Sequence, residues 1–403
     1  MNTHDVNGFV SPRQVIKITS LPPLTLYVHF PWCISKCPYC DFNSHEWKNK
    51  DFPEDSYLDG LRADLKCALP LILGRKVHAV FIGGGTPSLL SEKGLDRLLS
   101  DIRTLLQLDI DAEITLEANP CTFESSKFRQ FRIYGVNRLS IGIQSFNEKH
   151  LKTIGRIYDV AQAIAAVDIA ANTFDNFNLD LMFALPNQTF DECKKDIKIA
   201  LSFAPPHLSL YQLTLEPNTL FAKFPPTIPD DDMSADMQEW IHEHTEEAGY
   251  HRYEVSAYAK PHKLCKHNLN YWCFGDYLGI GAGAHTKLSF PNRILRQVRY
   301  RNPLTFIKYT HSGLTAVKKE WDVSVYDLPF EFMLNTLRLV EGFPVKSFTS
   351  RTGLLISTID RALKDAEQRG LITRNLKNIV PTVLGQRFLN NLQQLFLYDD
   401  LDN

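Results

Sequence analysis

The 403-residue chain carries 44 Lys plus Arg against 46 Asp plus Glu, a formal charge of −2, with ordinary apolar and charged fractions. That length supports a sizeable core and more than one domain, and the near-neutral balance excludes bulk electrostatic capture of nucleic acid. The first residues have no secretory-signal pattern and no apolar run approaches the ~20 residues of a membrane-spanning helix, so a cytoplasmic protein with at most peripheral membrane contact is expected.

A loose tail over 1–23 ends at Pro22-Pro23, and LTLYVHF then alternates as a strand. A cysteine-rich loop follows, then helical spacing from about Ser56 to Leu69. VHAVFIGGG reads as a strand running into glycines, EKGLDRLLSDIRTLL as a helix and AEITLEANP as a strand. SSKFRQFRIYG is a helix closed by Gly135, VNRLSIGIQS a strand, and EKHLKTIG and DVAQAIAAVDIAAN are helices. FNLDLMFALP is a strand, TFDECKKDIKIALSF a helix and HLSLYQLTLEP a strand. A strand–helix unit repeated about six times predicts an α/β fold with a parallel sheet and outer helices. Polar and glycine motifs follow nearly every strand and none is G-x-G-x-x-G, so a partial (β/α)6 TIM-like barrel fits better than a dinucleotide-binding sheet.

From Pro225 the pattern changes. The expected division is a tail over 1–23, a barrel over 24–225, an extension over 226–303 and a mostly helical, winged-helix-like domain over 304–403. The last domain reads as a packing cap rather than a nucleic-acid reader, because STIDRALKDAEQRG is balanced in charge.

Eight cysteines are present, and three of them, Cys33, Cys37 and Cys40, crowd into one loop directly after a strand. In a reducing compartment such a cluster points to metal rather than disulfides. Thiolates are the usual ligands of iron–sulfur clusters, and three can hold three corners of a cubane while leaving one iron open. Zinc is the alternative, with His29 or His45 as a fourth ligand, although C-x3-C-x2-C is not a usual zinc-finger spacing.

YVHFPWCISKCPYCDF resembles the signature of radical SAM proteins, and the resemblance continues through GGGT at Gly83–Thr86, EITLEANP, SIGIQSFNEKHLKTIGR and FNLDLM. It implies a [4Fe-4S] cluster on Cys33, Cys37 and Cys40, with S-adenosylmethionine (SAM) on the open iron. It also implies SAM contacts from Tyr27, Tyr39 beside the adenine, the Gly84-Gly85-Thr86 turn, Glu117 at the amino group, Gln144 and Asp180 at the ribose, and Arg156 as a fork on the carboxylate.

Over residues 21–397 the chain is similar to the HemN/HemW family, relatives of oxygen-independent coproporphyrinogen III oxidase. Two features place it nearer the heme-chaperone branch. Asp41-Phe42 follow Cys40 where the oxidase carries a fourth cysteine, and His267-Asn268-x-x-Tyr271-Trp272 resembles the H-N-x-x-Y-W motif whose histidine is implicated in heme binding. The chain also lacks the long segment that the oxidase carries ahead of the cluster. The resemblance implies a chaperone that binds heme through His267 and passes it to acceptor hemoproteins such as respiratory-chain enzymes, as a homodimer, without nucleic acid and without an assigned catalytic residue. The competing reading is a coproporphyrinogen dehydrogenase that uses the same SAM site for oxidative decarboxylation. Departures from the family pattern are Tyr158 for a usual His, Phe183-Ala184 for a polar-Gly pair, and Thr286 for a Gly, all expected near the SAM and substrate mouth.

Overall fold

The computed structural model describes residues 16–47, 52–120 and 125–397. Most of the expected tail, and Cys121, lie outside the described residues. The described residues fall into two compact units: one lies within Pro23–Leu288 and Arg296–Trp321, the other comprises 16–22, Ser289–Leu295 and 322–397.

Six strands follow the predicted alternation: β1 (Leu24–Phe30), β2 (Val77–Gly84), β3 (Leu108–Ala118), β4 (Arg138–Gln144), β5 (Phe177–Phe183) and β6 (His207–Gln212). Each pairs in parallel with the next. Their side chains are buried on both faces, as expected of parallel strands flanked by helices. The helices start on sequence-readable caps: Ser91 accepts from Gly94 N, and Asp159/Gln162 and Thr189/Glu192 form capping boxes.

The sheet does not stop at six strands. β7 (His251–Arg252) and β8 (Ala257–Ala259) add antiparallel to the β6 edge. β9 (Asp276–Ile280) comes from the extension and lies parallel to β1, pairing Leu24 with Asp276 and Val28 with Ile280. β10 (His285–Phe290), β11 (Arg293–Arg299) and β12 (Val317–Asp322) continue outward, giving the order β12-β11-β10-β9-β1-β2-β3-β4-β5-β6-β8-β7. β1, first in sequence, is therefore an interior strand.

The second unit holds a helix (Leu328–Thr336), a short strand β13 (Phe343–Pro344), two helices (Val345–Thr352 and Asp360–Gln368) and a hairpin of β14 (Ile372–Arg374) and β15 (Asn378–Pro381). This is the winged-helix order. Along Asp360–Gln368 the cations are tied to nearby acids, Lys364 to Asp360 and Arg369 to Asp365, and Arg374 joins Asp360 and Glu367. Among the described residues no helix is long and apolar enough to cross a membrane.

Candidate functional site

The C-terminal ends of β1–β6 open onto a cavity of about 440 Å³. Register explains which side chains reach it. Glu117 lies opposite Ser140 and Gly142 opposite Asp180, so inward positions of neighbouring strands meet at the cavity wall. Tyr27, Phe81, Thr115 and Arg138 are register partners nearer the N-terminal ends of the strands and lie outside the lining.

The cysteine loop is closed by a short parallel pairing of Trp32-Cys33 with His45-Glu46. Cys40 N bonds Cys37 O at 3.1 Å, and Lys36 Nζ donates to the carbonyls of Phe42 and Ser44, both at 3.2 Å. Cys33, Cys37 and Cys40 all line the cavity. Burial, and then the neighbouring Cys40 and Cys37 sulfurs, push the Cys33 thiol up to about 11. Among the described residues, no group of three or more His, Cys, Asp or Glu side chains converges tightly enough to hold one metal ion. A cubane presents its irons at separate corners, so its thiolates need not converge on a point. The histidines proposed as a fourth zinc ligand are engaged elsewhere. His29 Nε2 meets the Asn43 carbonyl at 3.0 Å and must carry the proton, so Nδ1 accepts the Tyr27 hydroxyl at 2.9 Å. His45 Nε2 lies 3.2 Å from both Asn43 Oδ1 and the Arg301 carbonyl.

The glycine run stitches the end of β2 to the cysteine loop. Gly85 N and Thr86 N donate to the carbonyls of Phe30 and Trp32 at 2.6 and 2.8 Å. A Cβ on Gly85 would sit 2.3 Å from the Trp32 carbonyl oxygen, and one on Gly84, at φ +117°, 2.5 Å from the His29 ring. The glycines thus serve close approach of protein to protein as well as lining the cavity.

Glu117 accepts the Gly84 N–H at 3.0 Å, and burial pushes its carboxyl up to about 7. Asp180 accepts from Asn178 Nδ2 at 2.9 Å and Ser140 Oγ at 3.1 Å, and its pKa is likewise raised by burial. Gln144 ends β4 at φ +65° and accepts the Tyr211 hydroxyl at 2.7 Å. Tyr39 packs against the apolar cluster of Ile154, Met182, Leu185, Leu213 and Phe221. Arg156 reaches the wall from beyond the helix Glu148–Thr153, and each of its nitrogens already donates to protein: Nε to the Tyr158 hydroxyl at 2.8 Å, Nη1 to Cys37 Sγ at 3.3 Å, Nη2 to Asn119 and to the Gly142 carbonyl. A fork onto a carboxylate takes one N–H from each of two nitrogens, so a fork that includes Nη2 would have to displace Asn119 or the Gly142 carbonyl.

Of the residues singled out from sequence, Cys33, Cys37, Tyr39, Cys40, Gly84, Gly85, Thr86, Glu117, Gln144, Arg156 and Asp180 line this cavity. Tyr27 and His267 are not in its lining. His267 sits on the helix Lys266–Trp272, only 8 % exposed, with its ring on Phe81 (5.1 Å) and Tyr27 (6.1 Å). Its Nδ1 has no hydrogen-bond partner, and burial lowers its pKa to about 3, so the ring is neutral. Asn119 and Tyr211 also line the cavity and were not singled out; Asn119, two residues beyond Glu117 at the same strand end, was within reach of the sequence pattern. Of the departures, Tyr158 stands beside the cavity, bonded to Arg156 and to the Gly142 carbonyl. Thr286 is buried, with its hydroxyl bonded to Gly279 N and Arg299 Nη1, while Ala184 takes the left-handed backbone (φ +53°) that a glycine would hold without strain. Neither residue lines the cavity.

The model of the radical SAM superfamily matches residues 27–200, and that of the HemN C-terminal domain matches 323–388. The heme chaperone HemW of Escherichia coli is 47% identical over 94% of this chain and 100% of its own length. That of Haemophilus influenzae is 46% identical over 94% and 99%, and that of Bacillus subtilis 32% over 92% and 98%. The solved coproporphyrinogen III oxidase HemN of Escherichia coli superposes with a TM-score of 0.79 at 23% identity, covering 93% of this chain and 90% of its own, which shows a shared fold.

A radical SAM protein implies a [4Fe-4S] cluster and SAM. The residues present fit both: three thiols share one wall, a buried carboxyl and a guanidinium stand beside them, and the cavity volume is that of a small-molecule site. Full-length identity at this level, together with the cysteine-lined barrel mouth, makes the chain a member of the HemW family within the radical SAM superfamily.

Proposed function

We propose that this protein is a cytoplasmic heme chaperone, which binds heme and passes it to acceptor hemoproteins. The observation that carries this reading is the end-to-end match to proteins named heme chaperone HemW. Cys33, Cys37 and Cys40 would hold the cluster, and the rest of the cavity would take SAM. Glu117 would accept from the SAM amino group, Gln144 and Asp180 would meet the ribose hydroxyls, Tyr39 would flank the adenine, and the Gly84-Gly85-Thr86 turn would bring backbone close to the bound SAM. Tyr27 acts from outside the lining by fixing the His29 ring. When bound, the cluster supplies an open iron for ligand activation and a site for one-electron exchange.

His267 is the heme ligand in this reading. A neutral imidazole is a good axial ligand, and the unpartnered Nδ1 supports a nitrogen in want of a partner. Because the ring is stacked on Tyr27 and Phe81, heme capture requires the Lys266–Trp272 helix to open. Ile34, Phe42 and Ile157 are exposed apolar side chains beside the cysteine loop, which suits homodimerisation there. Delivery to respiratory-chain enzymes calls for peripheral membrane contact alone.

Heme titration into wild type and His267→Ala tests the ligand: the mutant loses affinity and the absorbance spectrum changes, whereas identical spectra and affinity remove His267 from the role. The rival, coproporphyrinogen decarboxylation, has the shared HemN fold in its favour. SAM-dependent formation of harderoporphyrinogen or protoporphyrinogen by anaerobic, reconstituted protein would establish it.

A further inference from the structure

Arg156 is fixed against the cysteine loop from several sides. Gly155, at φ +75°, lies so close to the loop that an added Cβ would meet Pro38 Cδ at 2.7 Å, so glycine is what lets the chain reach Cys37. The Tyr158 hydroxyl accepts Arg156 Nε–H and is anchored by donating to the carbonyls of Gly142 (2.7 Å) and Ile143 (2.8 Å). The Tyr158 ring also lies under the guanidinium carbon at 5.0 Å. With Nη2 held by Asn119 and the Gly142 carbonyl, Nη1 is directed at Cys37 Sγ, 3.3 Å away. Rotation about either side would break a hydrogen bond, so the contact with sulfur is built in rather than incidental.

Reduction of a thiolate-bound cluster adds negative charge that spreads onto its sulfurs. A hydrogen-bond donor or a positive charge at a ligand sulfur stabilises the reduced form more than the oxidised form, and such bonds are among the factors that set cluster potentials. We infer that Arg156 is an N–H···S donor to cluster ligand Cys37 that raises the reduction potential of the cluster, and that Tyr158 is the residue positioning it. The inference rests on the reading of Cys37 as a cluster ligand. It gives Tyr158 a role that its neighbours define: the hydroxyl both accepts a hydrogen bond from the guanidinium and ties it to β4.

The test uses anaerobically reconstituted full-length protein without SAM, titrated with dithionite and followed by electron paramagnetic resonance, with iron content measured alongside. Arg156→Gln removes the charge, and Tyr158→Phe keeps the ring but removes the hydroxyl. The expected result is a full iron complement in both, a midpoint shifted to more negative potential in Arg156→Gln, and a smaller shift of the same sign in Tyr158→Phe. A wild-type midpoint in iron-replete Arg156→Gln overturns the inference. If that variant loses iron, a wild-type midpoint in Tyr158→Phe overturns it instead. Wild-type protein that takes up no iron overturns the cluster reading itself.

Discussion

Gly84 donates its backbone N–H to the Glu117 carboxyl at 3.0 Å, and the room that a Cβ on Gly84 would need is already filled by the His29 ring. Gly84→Ala therefore meets both a left-handed backbone and a steric clash. A loss of about 2–4 kcal/mol is expected from strain plus overpacking. Denaturant unfolding measures it, and part of the loss is regained in a His29→Ala background, where the ring is gone. Equal losses in both backgrounds would show that the clash is not the cause.

Glu117 ties stability to pH. Its folded-state pKa of about 7 lies above the ordinary 4.5, so the folded protein holds this proton more tightly than the unfolded chain does. Its contribution is complete below about pH 4.5 and is lost as pH rises through about 7. In protein without SAM, Glu117→Gln is thus more favourable relative to wild type at pH 8 than at pH 5. Melting temperatures of both proteins across that range check the sign, and a constant difference would contradict it.

The three loop cysteines separate cleanly from the isolated ones. Cys33→Ala, Cys37→Ala and Cys40→Ala each abolish the brown colour and most of the iron after anaerobic reconstitution. Cys193→Ala and Cys265→Ala keep the wild-type iron content, because these buried thiols lie outside the cavity that Cys33, Cys37 and Cys40 line. Iron assay of the five variants decides the point.

Asp276 opens β9 and is fully buried between two cations, Arg75 at 2.8 Å and Lys287 at 3.1 Å. Asp276→Asn leaves the buried Lys287 without its carboxylate, at an expected cost of about 3–5 kcal/mol. Lys287→Met costs less, because Arg75 still faces the carboxylate. Urea midpoints of the two variants should fall in that order.

Most of the barrel was readable, because capped helices and apolar strands repeat with distinct periods. β9 was not. DYLGI follows a helix of only one or two turns and is bounded by Gly275 and Gly281, so nothing local distinguishes it from a loop. Its place beside β1 depends on pairing across about 250 residues. The site divides in the same way. Cys33, Gly84, Glu117 and Arg156 stand at strand ends or in short motifs, whereas Tyr211 meets Gln144 only through the curvature of the sheet. The clasp between Arg156 and Tyr158 is also tertiary: spacing places the two residues near one another, but not their shared grip on Gly142 or the contact of Arg156 with Cys37.

β1 has β2 on one side and β9 on the other. During synthesis, the strand that leads into the cysteine loop emerges early, while its second neighbour is made only when the ribosome reaches residue 280. Until then, one row of β1 amide and carbonyl groups has no native strand to bind, a state prone to mispairing. Synthesis of the cysteine loop and closure of the sheet are therefore separated in time, and a chain truncated before β9 would carry its cysteines on an open seam.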